Sequence, residues 1–223
     1  MKEKDFNYHY IEKQEISLKD LKIEDRILDL GGGGEGIIGK IFGEKVVAID
    51  PSKRELEEAA EGPLKIVMDG TSLKFLDKSF DNATSFFTFM FIPNSKHEEV
   101  ISEIYRVLKP GGKFYVWDVE IPEFDESLGL DKDKTFYVVP LLVNLDSEII
   151  DTGYGTKWST KPQSKEYFIS LCEDIGFKSI LSEEYGETYK LIFKKWLYLK
   201  RKFFPLFYLS YLRCIKKGVL WYN

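Results

Sequence analysis

The sequence predicts an α/β fold in which helices cover a doubly wound, mostly parallel sheet. Three observations carry this prediction. Short apolar strands alternate with helical segments along the chain. A run of four glycines at positions 31–34 directly follows the first of these strands. The chain has 223 residues, of which 43% are hydrophobic and 31% charged, and this balance suits one α/β domain with its own core.

The first elements follow from apolar runs and glycine positions. Residues 1–24 mix aromatic and charged side chains, and we expect a short irregular or helical lead-in that covers one sheet edge. Strand one is predicted at residues 26–30, and the short helix after the glycine run stops at Gly43. Strand two covers residues 46–49 and is closed by Asp50.

The next elements are bounded by helix caps. Strand three is predicted at residues 64–68 and strand four at residues 81–87, with a polar loop between them. A serine followed three residues later by glutamate is typical of a capping box at a helix start. Two such boxes are predicted, namely Ser52 with Glu55 and Ser95 with Glu98. The second box opens a long helix whose apolar residues recur at helical spacing.

The glycine run has the character of a ligand-binding loop. Glycine permits positive φ and a close approach of the backbone, and a helix start leaves free N–H groups for a ligand. Gly31, Gly33 and Gly36 satisfy the dinucleotide fingerprint G-x-G-x-x-G. Asp50 ends the next strand, where a carboxylate can accept hydrogen bonds from both hydroxyls of a ribose. These residues predict an adenosine-containing ligand, and they leave open whether it is NAD or another cofactor.

A second motif narrows the choice of cofactor. The segment Leu108-Lys109-Pro110-Gly111-Gly112 lies between a predicted helix and a predicted strand at residues 114–117. This arrangement resembles the class I S-adenosylmethionine-dependent methyltransferase family. Two further pairs match the family's motifs after its third strand and at the start of its fourth, Asp69-Gly70 and Phe80-Asp81 respectively.

The resemblance implies a fold, a cofactor and a set of contacts. It implies a Rossmann-like sheet with an antiparallel final strand, a methyltransferase domain at residues 1–197, and S-adenosylmethionine as cofactor. The implied cofactor-binding residues are Asp29, Gly31, Gly32, Gly33, Asp50, Pro51, Asp69, Gly70 and Phe86. The loop departs from the common motif at Glu35, which stands where a third spaced glycine is expected.

The implied reaction is an in-line displacement of a methyl group, which requires no metal and no covalent residue. A hydroxyl or amine acceptor would need a group that removes its proton. Asp118, Glu120 and His97 are the candidates for this role, although such residues more often cap helices or face solvent. The acceptor is expected to be a small or lipid-like molecule. Two alternatives are an NAD(P)-binding Rossmann oxidoreductase and a non-catalytic cofactor-binding module.

The segment at residues 122–162 is predicted to be a β-rich insertion. In the class I methyltransferase family, insertions usually determine which acceptor is methylated. We therefore expect this segment to be a lid over the active site. The alternative is an extra hairpin that only shields a sheet edge.

The C-terminal extension, residues 198–223, is basic and aromatic. Eight basic and no acidic residues lie between positions 194 and 223, while the net charge of the chain is −5. The rest of the chain is therefore strongly acidic, which argues against nucleic acid as a partner. The extension predicts an intramolecular or homodimer contact, or peripheral contact with a membrane. Two cysteines without metal-ligand spacing and a charged N-terminus predict a cytoplasmic protein, with membrane association through this extension left open.

Overall fold

A computed structural model describes residues 6–158 and 162–195. The C-terminal extension predicted at residues 198–223 lies outside the described residues. The strands are β1 Asn7–Tyr10, β2 Gln14–Ser17, β3 Ile27–Leu30, β4 Val46–Asp50, β5 Leu64–Val67, β6 Phe80–Phe86, β7 Leu108–Val119, β8 Thr135–Asn144, β9 Ile149–Lys157, β10 Phe177–Tyr185 and β11 Thr188–Lys195. The α-helices are α1 Ile37–Phe42, α2 Lys53–Glu58, α3 Asn94–Val107 and α4 Lys165–Ile175.

The central sheet has seven strands in the order β10-β11-β7-β6-β3-β4-β5. The five strands from β7 to β5 are parallel, while β11 runs antiparallel to both β7 and β10. This arrangement confirms the predicted Rossmann-like fold with an antiparallel final strand. β3 lies between β4 and β6, so the strand order reverses beside it, and open α/β sheets bind ligands at such a reversal.

A second sheet corrects the prediction for residues 1–24. β1 and β2 both pair in parallel with β8, and β9 pairs antiparallel with β8. The predicted irregular or helical lead-in is therefore wrong. Each of these two strands has only four residues, and their partner lies more than 120 residues further along the chain, so the local sequence carries a weak signal.

The central sheet is covered on both faces. On one face, the second sheet and α1 share an apolar cluster with the central strands, to which Ile16, Ile38, Trp117 and Val139 contribute. On the other face, α3 and α4 pack in a separate cluster. The molecule is thus layered, with the second sheet covering a part of the central sheet that would otherwise face water.

Two helix starts differ in how their caps form. At α2 half of the predicted box forms: the Ser52 hydroxyl accepts a hydrogen bond from the Glu55 amide at 3.2 Å, while the Ser52 amide donates to Asp50 instead of to the Glu55 side chain. The box predicted at Ser95 is wrong: α3 begins at Asn94 and no side chain caps it. Pro93 precedes the helix with a φ of −56° that already suits the turn, and its carbonyl accepts from the Lys96 amide at 2.8 Å.

The Pro-Gly-Gly segment forms a bulge between β6 and β7. Leu108 pairs with Phe80 and Lys113 pairs with Asn82, so residues 109–112 stand opposite a single residue of β6. Gly111 has a φ of +82°, which lets the chain reverse before β7 continues into the sheet. Within residues 6–158 and 162–195, the structure contains no helix long and apolar enough to cross a membrane.

Candidate functional site

A cavity of about 750 Å³ opens at the carboxyl ends of the parallel strands. Its volume lies in the range of about 300 to 1,000 Å³ that small-molecule sites occupy. The glycine loop after β3, the end of β4, and the segments after β5 and β6 all contribute to its wall. Of the predicted cofactor contacts, those that line the cavity are Gly31, Gly33, Asp50, Pro51, Asp69, Gly70 and Phe86.

The glycine loop is packed so closely that side chains would not fit. Gly31 has a φ of +70°, and a Cβ added there would overlap Thr88. A Cβ at Gly33 would lie 2.6 Å from the Cβ of Glu55. The amides of Gly31 and Gly32 both donate to the Ile49 carbonyl, at 2.8 and 3.1 Å, and these bonds fix the loop on the end of β4. At Gly31 and Gly33 the loop therefore presents backbone to the cavity, whereas Glu35 of the same loop presents a side chain.

Asp50 presents a half-buried carboxylate at the end of β4. Its Oδ1 accepts a hydrogen bond from the Ser52 amide at 2.7 Å. Burial raises the pKa of this carboxyl above its usual range, and hydrogen bonds from the amides of Ser52 and Gly33 oppose the shift. The remaining acceptor capacity of the carboxylate suits the paired hydroxyls of a ribose.

Asp69 lies in the turn after β5 and lines the cavity. Its Oδ1 accepts from both the amide and the hydroxyl of Thr71, each at 2.8 Å. These two bonds lower the pKa of Asp69, so the exposed carboxylate is charged at neutral pH. Gly70 is buried, and a Cβ there would lie 2.7 Å from the Leu30 side chain, so the turn sits directly on the end of β3.

Asp29 and Gly32 lie beneath the cavity wall rather than in it. Asp29 is 3% exposed, and it accepts a hydrogen bond from the Thr84 hydroxyl at 2.7 Å. Burial raises the pKa of Asp29 to about 7. A Cβ at Gly32 would lie 2.7 Å from the Asp29 carboxylate, so the two residues pack against each other. This packing indicates that Asp29 and Gly32 support the glycine loop.

The three candidates for proton removal do not line the cavity. Asp118 is buried and accepts from the amides of Phe89 and Val119, both at 2.9 Å, and burial raises its pKa to about 7. Glu120 accepts from the Lys165 amide at 3.2 Å, at the start of α4. His97 is buried, with Nε2 2.9 Å from the Ile92 carbonyl oxygen, and burial lowers its pKa. Each of these side chains has a partner within the fold.

The cavity residues that were not predicted as contacts include a glutamate and three aromatic residues, namely Glu35, Phe87, Phe91 and Tyr154. The Tyr154 ring stacks on Phe87 with centroids 5.4 Å apart and an interplanar angle of 21°. Phe91 meets the same tyrosine edge-on at 6.4 Å, and it is 52% exposed. Tyr154 belongs to β9 of the second sheet, so the sequence around it does not indicate that it lines the cavity. The one signal that could have drawn attention to the aromatic side of the cavity was Glu35, the unusual glutamate in the glycine loop.

Comparisons with known proteins point to one family. Residues 28–116 match a family model described as a methyltransferase domain. The chain is 35% identical over 127 residues to the sterol 4-C-methyltransferase strm-1 of Caenorhabditis elegans, which covers 52% of this chain and 36% of that protein. It is 26% identical over 151 residues to the demethylmenaquinone methyltransferase of Lactobacillus johnsonii, covering 67% of this chain and 61% of that protein. The chain therefore spans less than two thirds of the length of these relatives.

A solved structure supports the fold. The S-adenosylmethionine-dependent methyltransferase of Methanosarcina mazei superposes with a TM-score of 0.58 at 20% identity, and the match covers 80% of this chain and 95% of that one. Likeness at this level of identity concerns the fold alone. The matched domain is what favours the methyltransferase family over the oxidoreductase alternative.

Proposed function

This chain belongs to the class I S-adenosylmethionine-dependent methyltransferase family, and from that premise we propose that it transfers a methyl group to a small, lipid-like acceptor. The observation that carries the proposal is the cavity itself. It brings the backbone of Gly31, the carboxylate of Asp50 and the turn at Asp69 to one site, in the order that the family resemblance implies.

The residues present fit the cofactor. In the proposed complex the glycine loop lies against the methionyl and ribose portion, Asp50 accepts from the ribose hydroxyls, and Asp69 with Gly70 contacts the adenine. Phe86 lies near the methionyl end. The glycines at 31 and 33 support this assignment, because positions without a Cβ let a ligand approach the backbone closely at the cavity wall.

The sulfonium of the bound cofactor supplies a methyl group that is already activated, so the chain needs chiefly to hold donor and acceptor in line and to exclude water. The aromatic side chains at the cavity, Phe86, Phe87, Phe91 and Tyr154, suit that task. An acceptor carbanion or thiol requires no strong base, which accords with the absence of Asp118, Glu120 and His97 from the cavity wall.

The same aromatic side chains support an apolar ring as the acceptor. Apolar and aromatic walls bind ligands through the area that they remove from water. The two relatives described above are named for a sterol and for demethylmenaquinone, which are both lipid-like ring compounds. We therefore propose an acceptor of this class, without choosing between the two chemistries.

The first test is a calorimetric titration with S-adenosylmethionine, S-adenosylhomocysteine, NAD and NADP side by side. We expect micromolar binding of the first two and none of the nicotinamide cofactors. Binding of NAD or NADP alone would contradict the proposal and support the oxidoreductase alternative. A second test incubates the protein with methyl-labelled cofactor and a whole-cell extract. Cofactor binding without any label transfer to lipids, metabolites or proteins would support a non-catalytic module.

A further inference from the structure

Glu35 is the residue at which the glycine loop departs from the family pattern, and the proposed function does not use it. The side chain lines the cavity, and both of its carboxylate oxygens are occupied. Oε1 accepts a hydrogen bond from the Thr152 hydroxyl, and Oε2 accepts from the Tyr154 hydroxyl at 3.2 Å. Both donors belong to β9, so one carboxylate joins the glycine loop to the second sheet.

The backbone around Glu35 is held on both sides. Gly34 and Gly36 adopt left-handed conformations with φ of +59° and +56°. The Gly34 amide donates to the Glu55 carbonyl at 2.9 Å, and the Gly36 amide donates to the Gly33 carbonyl at 3.2 Å. A side chain that leaves from a fixed backbone loses less entropy when it binds its partners. The link between Glu35 and β9 is therefore favoured by the shape of the loop.

The partner Tyr154 stands at the aromatic side of the cavity. Burial and the Glu35 carboxylate hold the pKa of its hydroxyl well above the usual range, so the hydroxyl is a proton donor to Glu35 at neutral pH. Its ring packs on Phe87 and meets Phe91. A further ion pair joins Lys40 of α1 to Glu148, in the turn before β9, at 3.1 Å, but it is solvent-exposed and contributes little.

We propose that Glu35 is a positioning residue that couples cofactor binding at the glycine loop to the placement of Tyr154 on the acceptor side of the cavity. This inference rests on the proposed function, since it assumes that the cofactor lies on the glycine loop. Glu35 already holds Thr152 and Tyr154, so a cofactor that binds the glycine loop stabilises this linked arrangement, and β9 opens less often. Such a coupling is reciprocal, so an acceptor that contacts Tyr154 strengthens cofactor binding by the same factor.

The test follows amide hydrogen exchange in residues 149–157 with and without S-adenosylhomocysteine. In the wild type we expect this ligand to slow exchange about tenfold, within the usual range for coupling between sites. Glu35→Gln, Tyr154→Phe and Thr152→Val each weaken or remove a bond to the carboxylate and should lose most of that protection. Thr152→Ser keeps the hydroxyl and should retain it. Asp151→Asn is the matched control, because its exposed carboxylate on the same strand pairs only with the exposed Lys13 among the described contacts.

The outcomes separate the coupling from its alternatives. Equal protection in Glu35→Gln and the wild type would overturn the inference while leaving the proposed function intact. If Glu35→Gln weakens ligand affinity by more than about tenfold while Tyr154→Phe has no effect, Glu35 contacts the cofactor directly, and the inference is again overturned. A wild type that binds no S-adenosylhomocysteine would overturn the proposed function and the cofactor coupling together. The ligand-free samples then still report on the link, since faster exchange of β9 in Glu35→Gln supports it and unchanged exchange refutes it.

Discussion

Two sides of the cavity are constructed in different ways. On the cofactor side, the glycine loop, Asp50 and Asp69 each follow a strand of the central sheet, and backbone hydrogen bonds such as those from Gly31 and Gly32 to Ile49 hold them. On the aromatic side, Tyr154 comes from the second sheet and is joined to the glycine loop through side chains. The first side is rigid because of the sheet, whereas the second depends on contacts between two sheets. We infer that the second side is the one where acceptor choice can vary.

The largest effect is expected from Gly31→Ala, which tests the rigid side. Gly31 has a φ of +70° and no space for a Cβ beside Thr88. Strain in the left-handed region costs about 1 to 3 kcal/mol and the overlap adds to it, so the loop of Gly31→Ala should leave its position beside Thr88. Binding must then restore that position, and cofactor affinity should fall about a hundredfold or more. Calorimetric titration with S-adenosylhomocysteine measures the change.

Gly129→Ala is the matched control for that substitution. Gly129 also has a positive φ, of +64°, but nothing lies within 4 Å of an added Cβ and the residue does not line the cavity. It should lose a little stability and keep its affinity. If both variants bind S-adenosylhomocysteine as the wild type does, the close approach of ligand to the Gly31 backbone is not needed.

The second prediction concerns Asp50→Ala. A hydrogen bond to a charged carboxylate contributes about 1.5 to 3 kcal/mol, so this substitution should weaken cofactor binding roughly tenfold to a hundredfold. Titration with S-adenosylmethionine and its demethylated product gives the two affinities. Wild-type affinity in the Ala variant would remove Asp50 from the ribose site.

The two sides also differ in how well the sequence predicted them. The glycine run, Asp50 and Asp69 follow apolar strands directly, and the carboxyl ends of parallel strands meet at one edge, so local patterns place these residues together. Asp29 was predicted as a cofactor contact because it belongs to a family motif. The motif does not describe the packing that buries Asp29 under Gly32.

Tyr154 could not be predicted as a site residue because its position depends on long-range strand pairing. β8 pairs with β1 and β2 across more than 120 residues, and β9 reaches the cavity only through β8. The helix caps also show that a local pattern does not always predict where a helix starts. Ser52 caps α2 as predicted. Pro93 moves the start of α3, so Ser95 has no capping role.

The third prediction tests the aromatic side through Phe91→Ala. Phe91 is half exposed on the cavity wall, and the aromatic contact it offers an acceptor ring contributes about 0.5 to 1.5 kcal/mol beyond burial. The apparent KM for a lipid extract should therefore rise roughly threefold to tenfold, by more than the Kd for S-adenosylhomocysteine. Tyr10→Ala removes another exposed aromatic side chain, from β1, that does not line the cavity, and it serves as the control. An equal loss of cofactor affinity would place Phe91 on the cofactor side instead.

The last prediction concerns the pH dependence of stability, whose effect on the cavity is indirect, and it compares the buried carboxyls Asp29 and Asp118. Burial raises both pKa values from 3.8 to about 7, so between these values the folded state binds more protons than the unfolded state. The stabilisation is fully present below about pH 4 and is lost as pH rises towards 7, by about 1.4 kcal/mol per pH unit for each group at most. Urea midpoints at pH 5 and pH 8 should show a smaller decline in Asp29→Asn and in Asp118→Asn than in the wild type.

The two substitutions should differ at the site. Asp29 lies directly under Gly32, so its ionisation acts on the loop that we propose holds the cofactor, whereas Asp118 accepts from the Phe89 and Val119 amides outside the cavity. We expect Asp29→Asn to change the pH dependence of S-adenosylhomocysteine affinity and Asp118→Asn to leave it as in the wild type. Parallel affinity profiles in both variants would show that the rigid side is insensitive to the charge beneath it, because the backbone bonds to Ile49 then suffice to hold the loop.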